Sequence, residues 1–326
     1  LNCVLKGIAA WHLWAKIAGW EDHSGPDPEP TISTFTAIEG DWHNPDNWNE
    51  GVPDTSLAAI ISQGSKVTID NNAICSTLTV QPEAQVIIME GDTLFTEFCN
   101  LETNASDSTS ASLINHGWLQ SDSGATIHKY LMSGTLESFS PPIQNATAGI
   151  LDASEEELYR WNIQNKTYES ITQNDDTLKV MQGYLYRNST GDLTAAFSGL
   201  LNQGEQSYQL EINPDDSVYQ HWNLTGNPFP SPVNWDHVTW NKTNVANSIY
   251  LHSSSSSQPC SYVNGISNPD GCFEGIVKPM SAFWIYAEHE GNISVQPTAQ
   301  TTEKTAKQSI QKGVRLTVSD NEELYE

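Results

Sequence analysis

From residue 34 to residue 130, apolar positions come in short alternating runs broken by Gly, Asn and Asp, at 59–61, 66–69, 77–80, 85–89, 93–95, 112–114, 118–120 and 126–128. Such runs are too short for helices and carry the two-residue period of strands. Apolar pairs recur at irregular intervals of about a dozen residues, which suits a small parallel β-solenoid whose stacked coils share one core, with an antiparallel sandwich as the alternative. Beyond residue 132 the runs are longer and more aromatic, at 158–162, 183–187, 193–197, 208–212, 248–252 and 282–287. Phe283, Ile285 and Ala287 alternate there with Trp284 and Tyr286, the pattern of a β-sandwich with one face of each sheet buried. One stretch departs from this pattern: Val4, Leu5, Ile8, Trp11, Leu13, Trp14, Ile17 and Trp20 follow a helical repeat around Lys6 and Lys16. The predicted organisation is an N-terminal helix over 1–20, a Pro-rich linker over 21–33, a solenoid-like or sandwich domain over 34–131, and an antiparallel β-sandwich over 132–298. Residues 299–326 read as a linker and the start of a further β-domain. The fold class is all-β with one N-terminal helix.

The densest punctuation lies in W-N-L-T-G-N-P-F-P-S-P-V-N-W, Trp222 to Trp235. Three X-Pro steps push Asn227, Phe229 and Ser231 toward extended backbone, and Gly226 is free to take the positive φ of a turn. A rigid corner is expected, with Trp222 and Trp235 capping a sheet edge. Upstream stand Phe197, Gly199, Asn202 and Gly204, and further upstream Trp42, Asn47, Trp48, Gly51, Pro53 and Ile61. Together these blocks resemble the repeated modules of large cell-surface and secreted proteins of Bacteroidota exported by the type IX secretion system. The resemblance covers roughly residues 34 to 298. It implies an exported modular protein, extracellular or on the cell surface, and names no activity. The ending Leu316 to Glu322 resembles the opening of the next β-domain in such proteins, so the chain reads as part of a longer, processed polypeptide. The triplets at Thr93, Ser108, Thr177 and Ser217 resemble the D-[ST]-x O-glycosylation acceptors of the same proteins.

Composition narrows the partners. Forty acidic against fourteen basic residues give a net charge of −26, which repels phosphate backbones and excludes nucleic acid as a partner. An anionic membrane surface is disfavoured for the same reason. Calcium is the one cofactor this acidity leaves open: Asp41, Asp46 and Asp54 lie near the Trp42–Trp48 turn, although ordinary Asx-turn chemistry accounts for them without metal. The five cysteines form no C-x-x-C pair. Cys260 and Cys272 bracket a loop rich in Ser, Asn, Pro and Gly that a disulfide would restrain in an oxidising compartment. Cys75 and Cys99 form a second candidate pair on neighbouring strands, and Cys3 is left over.

Local catalytic motifs are missing: there is no G-x-S-x-G, H-E-x-x-H, phosphate-binding loop or dinucleotide fingerprint. Paired carboxylates far apart in sequence keep a polysaccharide-degrading enzyme as a third reading. Trp240, Tyr250 and Tyr262, near the variable loop, are the candidate glycan platform, core packing being the plainer role for each. Trp11, Trp14 and Trp20 are the candidate docking residues, toward another surface protein, another copy or a membrane interface. The expectation is a non-enzymatic exported scaffold, adhesin or filament component, with a carbohydrate-binding module as the second reading.

Overall fold

The computed structural model describes residues 31–106, 108–151, 157–187, 191–214, 220–251 and 260–302. The helix expected over 1–20, with Trp11, Trp14 and Trp20, lies outside them, as do Cys3, Ser217 and residues 303–326. The fold is all-β, a parallel β-solenoid followed by antiparallel sheets.

The solenoid has three sides. One sheet stacks Thr31–Phe35, Leu57–Ile61, Thr77–Val80, Phe98–Leu101 and Ala125–Leu131 in parallel. A second stacks Glu39–Asp41, Lys66–Ile69, Gln85–Ile88 and Ser112–Asn115, and a third Ala73–Ile74, Thr93–Thr96 and Trp118–Ser121. In-register pairing puts like on like: Phe35, Ile61, Val80, Leu101 and Ile127 form one buried column, and Val67, Val86 and Leu113 another. The step from one side to the next is mostly five to nine residues, shorter than the expected dozen, and a full coil takes three sides, as from Leu57 to Thr77 and from Thr77 to Phe98.

Both ends of the solenoid are closed. At the start, the turn Pro45–Asn47 folds Trp48 over Phe35 and against Trp42, ring centroids 5.2 and 4.9 Å apart, and the Trp48 indole donates to Trp42 O at 2.7 Å. Thr36 N–H donates to Asn47 O at 2.8 Å and Asn49 N–H to Thr34 O at 3.1 Å, covering an edge that would otherwise offer unpaired groups. At the far end two glutamines stand in for a strand. The Gln203 amide accepts from Leu119 N–H and donates to Leu119 O at 2.8 and 3.0 Å, and the Gln300 amide does the same for Asn115 at 3.2 and 3.0 Å.

Three expected boundaries shift. Residues 31–33, assigned to the linker, are already strand, paired with 57–59. The division at 131 is crossed, because Ala125–Leu131 pairs antiparallel with Leu193–Gly199 over seven positions and extends the solenoid sheet into the second region. One apolar core runs accordingly from Phe35 through Phe139, Tyr184 and Phe197 to Met280. Gln300, placed in a terminal linker by the sequence, is buried and part of the closing clamp.

The second region contains Leu136–Phe139, Tyr184–Arg187, Leu158–Asn162 and Thr167–Ser170 in one antiparallel sheet. A five-stranded sheet runs in the order Trp222–Gly226, Ala282–Tyr286, Ser248–Leu251, Cys260–Val263, Ile266–Asn268. Its inner face packs on a separate core of Phe229, Trp235, Ile249, Phe283 and Ile285. The proline-rich corner is a side-chain hub: Asn227 donates to Ser231 O and Lys278 O at 2.7 and 3.0 Å and accepts from Phe229 N–H at 2.9 Å. Asn202 reaches into it, donating to Pro141 O and Pro228 O, both at 2.9 Å. Gly226 ends a strand without the expected positive φ; a Cβ there would stand 2.6 Å from Ser140 Cβ, so close approach is what requires glycine. Trp235 is wholly buried rather than capping an edge, and Trp222 lies half-buried on a sheet face.

Candidate functional site

The five-stranded sheet buries one face and leaves the other partly open. Antiparallel partners share a face, so the pairings Trp222↔Tyr286, Leu224↔Trp284 and Tyr250↔Trp284 put Trp222, Trp284, Tyr286 and Tyr250 together on the outer side. All four are half-buried. Trp222 meets Tyr250 and Tyr286 edge-on, with centroids 4.9 and 5.6 Å apart, the arrangement the ring quadrupole favours. His221 flanks Tyr286 at 4.7 Å, its Nδ1 2.6 Å from Ala287 O.

A hairpin from the other sheet completes the wall. Leu158–Asn162 and Thr167–Ser170 pair Trp161 with Tyr168, and both rings stand edge-on to Trp284 at 5.3 and 6.4 Å. Trp161 is anchored by its indole N–H donating to Trp222 O at 3.1 Å. The hairpin turn is fixed by Glu169, which accepts from Asn162 and Asn165 amides at 2.6 and 2.9 Å and from Arg160 Nε at 3.3 Å. The Asn165 bond is the largest of the influences holding the Glu169 carboxyl below its ordinary pKa. The outcome is a trough of six aromatic rings from five strands. On the same sheet face beyond Tyr250 lie Val263 and Ile266, the latter 73% exposed.

Of the predicted platform, only Tyr250 belongs to this trough. Trp240 and Tyr262 are corrected to core residues: Trp240 packs at a tilt on Trp235, ring centroids 5.1 Å apart, and donates to Asn234 O at 2.9 Å, while Tyr262 packs on Phe273 and hydrogen-bonds Asp236. Burial, and after it the Asp236 carboxylate, raises the Tyr262 pKa. Trp222, Trp284 and Tyr286 belong to the corner motif and the strand alternation, neither of which marks a site, and Trp161 and Tyr168 lie more than fifty residues from the sheet they complete. The alternation around Ile285 was the available signal.

Cys260 and Cys272 are joined, with Cα atoms 5.9 Å apart, restraining the loop behind the Cys260–Val263 strand. Cys75 and Cys99 are not. Both are free thiols in the solenoid core, where Cys99 stacks on Leu78 and they serve as small apolar fillers. Burial pushes the Cys75 thiol up to about 12 and Cys99 higher, so neither is a ready thiolate.

Asp46 and Asp54 do not converge with Asp41: Asp54 caps its own turn, accepting from Ser56 N–H and Oγ at 2.8 and 2.7 Å. Asp41 instead meets His43 and Asp70, with potential ligand atoms within 4.8 Å of one another at the surface. His43 Nε2 lies 3.1 Å from Asn72 O, so Asx-turn and loop bonding account for the group as it stands. Among the glycosylation candidates, Ser108 and Thr177 are exposed, while Thr93 is half-buried in a strand.

An all-β frame with an aromatic trough on one sheet is therefore the class this chain defines. Residues 34–268 match the model of the family described as domain of unknown function DUF8693, and the chain belongs to that family. It matches no curated protein and no solved structure.

Proposed function

We propose that this chain is a non-enzymatic adhesin or scaffold module of an exported surface protein, making contact through the outer aromatic face of its five-stranded sheet. The observation carrying this reading is the trough itself: six rings held in place by a braced hairpin and a rigid sheet, yet left half open. Contiguous exposed aromatic surface of this kind marks an interaction site. The Cys260–Cys272 bond suits an oxidising exterior, and the sequence resemblance to type IX secretion substrates supplies the export route. With both solenoid ends closed, stacking of solenoid on solenoid is disfavoured, so assembly with other surface proteins or with further copies falls to the antiparallel region.

The test is retention of beads carrying the full chain on polysaccharide-coated and protein-coated surfaces under flow, with soluble reducing sugar measured in the same wells. Retention that falls in Trp222→Ala and Trp284→Ala, without sugar release, is the expected result. Sugar release by the wild-type chain would make it an enzyme and sink the proposal; equal retention of the variants would move the contact elsewhere.

A further inference from the structure

We propose that the trough takes a neutral polysaccharide chain, with Trp222 and Trp284 supplying apolar faces for sugar rings and the tyrosines supplying hydrogen bonds. This rests on the adhesin reading above and names its ligand. Three observations carry it.

The lining is amphipathic rather than simply apolar. Among the described residues, the hydroxyls of Tyr168, Tyr250 and Tyr286 and the indole N–H groups of Trp222 and Trp284 have no hydrogen-bond partner; Tyr168 is 41% exposed, and the polar atoms of the other four are not sealed from solvent. A dry protein–protein contact would leave such polar heads needing matched partners. A pyranose presents an apolar face of C–H groups with hydroxyls around its rim, which fits rings that each offer a flat side and a polar tip. By contrast, the other exposed apolar stripe, Ile74, Phe95 and Trp118 on the third solenoid side, has a single ring with a polar atom.

The rings are also preorganised. Edge-on contacts fix Trp222 and Trp284 each between two neighbours, and the bond from Trp161 to Trp222 O ties the two sheets at the trough, so little side-chain freedom is left to lose on binding. Charge then selects among glycans. At a net −26 the chain repels sulfated and uronic-acid polymers, leaving neutral ones as the matching class.

Affinity electrophoresis of the full chain tests this, in gels each containing one soluble polysaccharide: mixed-linkage β-glucan, xylan, galactomannan or starch as neutral probes, alginate or heparin as polyanions. At least one neutral polymer should retard the wild-type chain and neither polyanion should. Trp222→Ala and Trp284→Ala should weaken retardation about tenfold or more in variants whose far-UV circular dichroism shows them folded at the temperature of the gel. Tyr250→Phe and Tyr286→Phe keep the rings and should lose a few-fold, which preserves the test if a tryptophan variant fails to fold. Retardation by no neutral polymer, equal retardation by polyanions, or full binding by the folded tryptophan variants would each overturn the inference. If retardation fails while bead retention on protein surfaces still depends on Trp222, the ligand assignment falls and the adhesin reading stands.

Discussion

The two halves of this protein solve the same problem in different ways. In the solenoid, order comes from repetition: the coils lay apolar side chains, mostly Val, Ile and Leu, on one another in register, and side chains take little part in hydrogen bonding inside the columns. In the antiparallel region, order comes from individual polar side chains at special places, namely Asn202, Asn213, Asn223 and Asn227, each bonded to backbone groups distant in sequence. A column tolerates irregular loops between coils because register is set by stacking. A corner held by one amide does not, which explains why the proline-rich motif is dense in fixed residue types while the coil repeat is loose. The solenoid buries most of its large side chains, with Ile74, Phe95 and Trp118 among the exposed exceptions, whereas the five-stranded sheet sets Trp222, Trp284, Tyr286 and Tyr250 on its outer face.

The contrast stops at the solenoid core, which runs on into the antiparallel region although the five-stranded sheet keeps a core of its own. Ile88 lies in a solenoid column with no exposure and belongs to the cluster that reaches Tyr184 and Met280. Ile88→Ala should cost about 4 kcal/mol through lost burial and the cavity left behind. Because the solenoid core continues into the antiparallel region and the solenoid sheet crosses residue 131, both halves should unfold together, with tryptophan fluorescence and far-UV circular dichroism giving one coincident urea transition. Two separated transitions would show that the halves are independent and that the sheet crossing residue 131 does not couple them.

Loss of the disulfide sharpens the contrast from the other side. The bond closes a loop of twelve residues, and Cys260→Ser with Cys272→Ser should lower stability by about 3 kcal/mol on chain-entropy grounds. The local signature should be faster hydrogen exchange at Ser261 and Tyr262, with the Val67, Val86 and Leu113 column unchanged below the global opening limit. Exchange that rises first in the column would contradict the assignment of the bond to the sheet edge alone.

A smaller effect is expected where the halves meet. Gln300 binds both main-chain groups of Asn115 and accepts from Ser231 Oγ at 2.5 Å, so one amide joins the last coil to the proline-rich corner. Gln300→Ala should cost about 2 kcal/mol, since it leaves buried groups on Asn115 and Ser231 unpaired. Amide exchange at Asn115 should quicken while that at Ile69 stays protected. Equal protection of Asn115 in the variant would mean that another group closes the solenoid.

Local period and turn chemistry were legible; long-range pairing was not. Strands 66–69, 77–80 and 158–162 match to the residue because two-residue alternation is written locally. The closing glutamines were invisible, since Gln203 and Gln300 look like surface residues until the coil edge they mimic is in place. Trp240 and Tyr262 illustrate a further limit: an aromatic beside a variable loop can point either way, and its direction depends on a second sheet layer that no local pattern encodes. Trp284 and Tyr286 were identifiable as the outward set. Their partners Trp161 and Tyr168 come from a hairpin on another sheet, so the trough exists only after folding.

That hairpin supplies the gentlest test. Glu169 accepts three hydrogen bonds that together hold Trp161 and Tyr168 against Trp284, and these bonds, the one from Asn165 first, hold its carboxyl below the ordinary glutamate range. A carboxylate depressed on folding stabilises the native state above its unfolded pKa and loses that contribution as pH falls through the folded value. Acidification from neutrality into the range below 4.5 should therefore loosen the hairpin without unfolding the sheets, seen as a loss of near-UV signal from the coupled rings. The Glu169 side chain is 27% exposed and its partners lie at the surface, so solvent screening should keep the change small against the preceding three. Glu169→Gln keeps part of the bonding and removes the charge; it should show a weaker near-UV signal at neutral pH and a flat profile through the acid range. A variant that kept the wild-type pH profile would mean that another carboxylate governs the hairpin, and that the trough is braced by ring packing rather than by Glu169.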